Sequence, residues 1–102
     1  MATMLYTPEP VEMVQMIHPK GAHWTLEELQ ELVGGYIEIV RTIDGRFMVI
    51  NETGKMVTPM LPLNKNATRI YLHGRHDPIV GPAVVVDTML ELDGPAEEEQ
   101  SE

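Results

Sequence analysis

Residues 25–40, Thr-Leu-Glu-Glu-Leu-Gln-Glu-Leu-Val-Gly-Gly-Tyr-Ile-Glu-Ile-Val, constrain the fold more than any other part of the chain. Thr25 and Glu28 have capping-box spacing: the hydroxyl can accept from the N–H of Glu28 while the carboxylate reaches back to the N-cap. Leu26, Leu29, Leu32 and Val33 then share one helical face, and Glu27, Glu28 and Glu31 turn to water. Gly34 can take the left-handed conformation that stops a helix, and Gly35 lets the chain reverse. The alternating Tyr36-Ile37-Glu38-Ile39-Val40 that follows reads as a strand.

That strand has a partner. Tyr36–Thr42 and Arg46–Asn51 flank Asp44-Gly45, a hairpin signal. A two-residue turn would set Thr42 opposite Phe47. A three-residue loop with Gly45 in a bulge sets Thr42 opposite Arg46, Arg41 opposite Phe47 and Ile39 opposite Val49. The second register gathers Ile37, Ile39, Phe47 and Val49 on one face, and a slip of one residue would turn these sets inside out. The three-residue loop is therefore expected.

Elsewhere the pattern is simpler. Residues 1–10, with Pro8 and Pro10, read as a loose lead-in, and Val11–Ile17 as a first strand whose odd-numbered face is the better core candidate. Trp24, just before the N-cap, can staple onto Leu29 or cover a sheet edge. Lys55–Thr58 is a short extended piece, and Pro59 and Pro62 bracket a loop. Asn64 is the expected N-cap of a short helix over 65–72 with Ala67, Ile70 and Tyr71 inward. Residues 73–78 form a polar loop. Ile79–Asp87 is the last strand, bent at Gly81-Pro82, and its Ala83-Val84-Val85-Val86, apolar on both faces, belongs in the sheet centre. Thr88–Leu92 can add a helical turn. The order specifies an α+β domain: one mostly antiparallel sheet of about four strands, with one main and one short helix on one face. The expected organisation is a lead-in over 1–10, the domain over 11–90 and an acidic, disordered tail over 91–102.

Composition narrows the class. A chain of 102 residues with 43% hydrophobic content can bury one modest core. There is no cysteine, so disulfides and thiolate metal sites are excluded. No signal-like segment and no run near the ~20 apolar residues of a membrane span is present, which points to a cytoplasmic protein. The sequons at Asn51 and Asn66 are then chance. The formal charge is −9, but Glu91, Asp93, Glu97, Glu98, Glu99 and Glu102 supply six of the acids, leaving a body of ten acids and seven bases near −3. Direct nucleic-acid binding, which needs clustered Lys and Arg, is not expected. The tail is read as a solvated segment, with an acidic nucleic-acid mimic as its functional alternative.

In order along the chain, Leu26–Glu38, Asp44-Gly45-Arg46, Val49–Lys55, Leu63-Asn64 with Ala67-Thr68, and Ile79–Val86 resemble the motifs of the DUF3846 family over about residues 11–88. The Pro59–Pro62 loop, the histidine loop at 73–78 and the acidic tail depart from that pattern. The resemblance implies an origin among bacteriophages, plasmids and bacteria. It supplies no assigned function and no catalytic residue, and the shared motifs are accounted for by caps, turns and core strands.

Candidate site residues follow from residue type. His73, His76 and Asp77 lie within five residues, but a loop gives His-x-x-His-Asp no fixed geometry, so no metal site is expected. Arg69, Arg75 and His76 could form a pocket for a small anion or nucleotide phosphate. Asn51, Glu52 and Asn64 could line a cleft, but turn chemistry is the better explanation of them. No nucleophile has a neighbouring base and no cofactor loop is present, so neither an enzyme nor a cofactor is expected. Of eight methionines most are assigned to the core, yet Met56, Met60 and Leu61 lie in a Pro-bounded loop that is hard to bury. The leading expectation is a non-enzymatic interaction protein that binds a host protein or itself through a sheet edge and this loop. The alternative is a nucleotide-like anion binder that counters host signalling.

Overall fold

The computed structural model describes residues 3–8, 11–89 and 92. Its elements are β1 (Thr3–Thr7), β2 (Met13–Ile17), α1 (Leu26–Val33), β3 (Ile37–Arg41), β4 (Phe47–Asn51), α2 (Lys65–Ile70) and β5 (Ala83–Val86). The five strands form one antiparallel sheet in the order β2-β1-β5-β4-β3.

Two expectations are corrected by this arrangement. The stretch read as a lead-in contains β1, an interior strand paired with β2 on one side and β5 on the other. Its alternation is short but clear: Leu5 packs on one face while Met4 and Tyr6 pack on the other. Pro8 follows the strand and does not interrupt it, so among the described residues the sheet has five strands, not about four. The helices, moreover, lie on opposite faces. Leu29 and Val33 of α1 join Trp24, Val49, Val84 and Val86 in one core cluster. Ala67 of α2 joins Met48, Ile79, Ala83 and Val85 in a second. Successive strand side chains point to opposite faces, so a central strand with a helix on each side must be apolar throughout. Ala83–Val86 meets that demand, with all four residues fully buried.

Local signals performed as their chemistry requires. The Glu28 N–H donates to Thr25 Oγ1 at 3.1 Å and the Thr25 N–H to Glu28 Oε1 at 3.0 Å, closing the capping box. Glu28 Oε2 also accepts the Lys20 N–H at 3.0 Å, which ties the incoming loop to α1. Gly34 is left-handed (φ +85°), and its N–H donates to Gln30 O at 2.8 Å. Gly35 has a different reason to be glycine: a Cβ there would lie 2.9 Å from Nδ2 of Asn51. That amide donates to Val33 O at 3.2 Å, satisfying a carbonyl at the end of α1.

The hairpin adopts the three-residue loop, with Arg41 opposite Phe47 and Ile39 opposite Val49. The Thr42 N–H donates to Arg46 O at 3.0 Å, the Gly45 N–H to Thr42 O at 3.1 Å, and Gly45 has φ +88°. Residues 52–56 are turns, not the extended piece expected from Lys55. Trp24 is buried beside Leu29, and its Nε1 donates to Thr3 Oγ1 at 3.1 Å. Leu92, placed in the tail by sequence, is buried, bridges Trp24 and closes a turn onto Met89 O at 3.1 Å. The remainder of the acidic tail, 93–102, lies outside the described residues. Among the described residues no helix is long and apolar enough to cross a membrane.

Candidate functional site

The polar residues singled out by sequence divide into those absorbed by the fold and those left on its surface. Asn64 is fully buried. Its Oδ1 accepts the Ala67 N–H at 3.0 Å, and its Nδ2 donates to Tyr6 O at 3.0 Å and Gly81 O at 2.8 Å. One amide thus caps α2 and ties it to β1 and to the approach to β5. Asn51 is buried as well: besides the bond to Val33, its Oδ1 accepts from Thr53 N at 2.8 Å and Thr53 Oγ1 at 3.2 Å. Both amides therefore carry turn and cap chemistry within the fold.

Arg69, Arg75 and His76 are exposed. Arg69 Nη1 donates to Asn66 Oδ1 at 2.8 Å on the surface of α2. Two of the hollows among the described residues lie elsewhere. One, of about 490 Å³ at the start of α1, has Lys20, His23, Thr25 and Glu28 in its wall. There the Glu28 carboxylate already holds the Lys20 and Thr25 N–H groups, and these bonds draw its pKa below the ordinary value. The other, of about 250 Å³ below the end of β4, is lined by Glu38, Asn51, Glu52, Lys55, Met56 and Asp77 among others. Burial, then the charges of Glu52 and Asp77, raise the Glu38 carboxyl, while Lys55 opposes them. Lys55 is ion-paired with Asp77. This hollow has an acidic wall, the wrong sign for an anion, and neither hollow includes Arg69, Arg75 or His76. His73, His76 and Asp77 stay in the turn at 73–77, where His76 N and Asp77 N both donate to His73 O at 3.0 Å. Among the described residues no group of three or more His, Asp or Glu is arranged to hold a metal ion.

The apolar surface is more distinctive. Met56 and Met60 are exposed, but Leu61 is half-buried, its N–H donating to Gly54 O at 3.1 Å and its side chain lying against Gly54 and Gly81. The core assignment of the methionines fails for most of them: Met48 is buried and Met4 packs beside it, whereas Met13, Met16, Met56, Met60 and Met89 are exposed. The physical reason for two of these is the position of β2. It is an edge strand, and of its expected core face only Ile17 reaches the cluster under α1. Val11, Met13, Val14 and Met16 are exposed by 65, 47, 43 and 58%.

The two sheet edges differ. The end of β3 is covered: Ile43 N donates to Ile70 O at 2.8 Å, Leu72 N to Arg41 O at 3.0 Å, and Thr42 bridges Tyr71. β3 also carries the charged Glu38 and Arg41. Among the described residues β2 pairs with β1 alone, and Met13–Ile17 contains no charge, no proline and no bulge, the usual devices that blunt an edge. Sequence reasoning expected a sheet edge but not which one. The signal was available in Met13-Val14-Gln15-Met16-Ile17, uncharged and apolar on both alternations but for Gln15, a pattern close to that of a buried central strand.

No curated protein and no solved structure matches the chain. The model of a domain of unknown function, DUF3846, matches residues 1–96 of 102, and so takes in β1 as well as the motifs from α1 to β5. The chain belongs to the DUF3846 family.

Proposed function

We propose that this protein is a non-enzymatic interaction module that takes up an extended partner segment as a sixth strand on the β2 edge. The observation that carries the reading is the state of that edge. Five uncharged residues, of which Met13–Met16 are exposed on both faces, form one edge strand of an otherwise well-packed sheet. In such pairing the main chain provides affinity and alternate side chains provide specificity. Val14 and Met16 would meet the partner on one face, Met13 on the other. Methionine suits this role because its flexible thioether adapts to different neighbours. A binding role is also favoured over a catalytic one by the use of Asn51, Asn64 and Thr42 within the fold.

Met56 and Met60 form a separate exposed apolar loop, anchored through Leu61 on Gly81 ahead of β5, and we regard it as a secondary contact. Host cytoplasm, in a cell carrying a phage or mobile element, is the setting this reading assumes from the family resemblance.

Titration of isotope-labelled protein with a soluble alternating Thr-Val peptide, monitored by amide chemical shifts, tests the reading. Shifts centred on Met13–Ile17, lost when alternate peptide nitrogens are methylated, are expected. Shifts confined to other segments, or equal effects of the methylated peptide, would overturn it.

A further inference from the structure

We infer that the strand accepted by β2 is the β2 strand of a second copy, antiparallel about a two-fold axis through Gln15. The inference rests on the edge-pairing reading above and adds the identity of the partner.

Strand geometry limits the choices. Along β2 the backbone groups point alternately toward β1 and outward, and antiparallel pairing must join outward residues to outward residues. In a symmetric pair the axis must then pass through a residue, never between two. Near mid-strand it can pass through Val14, Gln15 or Met16. An axis at Val14 sets Met13 against Gln15 and Glu12 against Met16. An axis at Met16 sets Gln15 against Ile17 and Val14 against His18. An axis at Gln15 pairs Met13 with Ile17 and Val14 with Met16, so every pair but the central one is apolar on both sides, and Gln15 meets its own amide.

The next pair outward supplies charge complementarity. Continuing the alternation, Glu12 of each copy faces His18 of the other, on the face shared by Val14 and Met16. That face continues into Met4 and Tyr6 of β1, which pair with Met16 and Val14. His18 is exposed, and Glu12 has an oxygen, Oε2, that is shielded from solvent without a hydrogen-bond partner. A rotation toward the facing imidazole would give that oxygen a donor; the axis at Val14 offers it none, and the axis at Met16, which sets Glu12 against Lys20, does so only by setting Gln15 against Ile17 and Val14 against His18. Each chain carries a formal charge of −9, but Met13–Ile17 carries none, so the edges meet without opposing like charges. The remaining repulsion is screened over about 8 Å at physiological salt.

The chain has no cysteine, so a single introduced thiol reports the register. Gln15 is exposed, and Gln15→Cys leaves the core untouched. Directly opposed Cα atoms in an antiparallel pair are about 4.5–5.5 Å apart, inside the range of about 4.4–6.8 Å that a disulfide spans. In a glutathione redox buffer Gln15→Cys should form a covalent dimer about tenfold faster than Val14→Cys or Met16→Cys alone, because only it faces its own copy. A mixture of Val14→Cys and Met16→Cys should yield the heterodimer. Equal rates for the three single variants, or fastest linkage through residue 14 or 16, would overturn the register. Sedimentation velocity and amide exchange on the unmodified protein separate the two levels of argument. A monomer whose outward β2 amides exchange freely overturns the second copy and leaves the edge open to another strand. A monomer with those amides protected overturns both.

Discussion

Replacement of Asn64 tests whether the most deeply buried polar group serves the fold or a ligand. Its side chain makes three hydrogen bonds, at 2.8–3.0 Å, to Ala67, Tyr6 and Gly81. Asn64→Ala removes the N-cap of α2, worth about 1 kcal/mol. It also strips a donor from two carbonyls, each costing about 1 kcal/mol at the low end because a carbonyl keeps a second lone pair. The expected loss is about 3 kcal/mol, or a fall in Tm of about 12–24 °C for a domain this size. Asn64→Asp separates the contributions. It keeps the cap acceptor but turns a carboxylate toward two carbonyl oxygens, which favours the protonated form in the folded state. A raised folded pKa means that stability relative to wild type is lost as pH rises through the unfolded value of about 3.9 and recovered below it. Urea unfolding followed by circular dichroism, from pH 3 to pH 7, measures both variants. If Asn64→Ala stays within about 0.5 kcal/mol of wild type, as surface substitutions do, the structural assignment is refuted.

Four further outcomes are expected. Trp24→Phe should cost about 1–2 kcal/mol, since the ring packing survives while the bond to Thr3 Oγ1 is lost; unchanged urea stability would contradict that bond. Gly35→Ala should destabilise by about 1–3 kcal/mol by driving a Cβ into the Asn51 amide, and Asn51→Ala should relieve most of the added penalty in a double-mutant cycle. Asp44 accepts from Thr42 and Arg46, which lower its pKa to about 2, so its contribution is present above the unfolded value and lost as pH falls through about 2. A carboxyl NMR titration midpoint near 4 would refute this. Glu38 has the opposite sign: its pKa is raised by burial and by Glu52 and Asp77, so stability is lost as pH rises above 4.5. Glu38→Gln should therefore gain on the wild type between pH 4 and pH 7 in paired melts, and a constant difference would contradict the shift.

What could be read from sequence was local. The capping box at Thr25 and Glu28, the left-handed Gly34, the hairpin register and the Asn64 cap each involve residues within a few positions, where backbone geometry leaves few choices. The centrality of Ala83–Val86 was legible for another reason: only a strand covered on both faces tolerates four consecutive apolar residues. Long-range pairing was not legible. Thr3–Thr7 is too short to signal an interior strand, and its place depends on β5, nearly eighty residues away in sequence. The division of the helices between two faces required knowing which parity of β4 and β5 each helix meets.

The site residues divide similarly. Asn51 and Asn64 are chemically suited to ligands and to caps alike, and only the positions of Val33, Tyr6 and Gly81 show that their bonds are used internally. Arg69, Arg75 and His76 are near one another in sequence, and the fold leaves them on an exposed helix face and an exposed loop. β2 was recognised as a strand, yet its apolar residues suggested a core position. Its outermost place in the sheet turns the same residues into an available surface.

Residue-resolved amide exchange of the full chain across a dilution series is the most direct test of the open edge. At the lowest concentration, alternate amides of Met13–Ile17 should be protected by pairing with β1 while the intervening ones exchange freely, and the latter should gain protection as concentration rises. Protection of every amide in Met13–Ile17 at a concentration where sedimentation velocity shows a monomer would show that the edge is closed within one chain, contradicting the account.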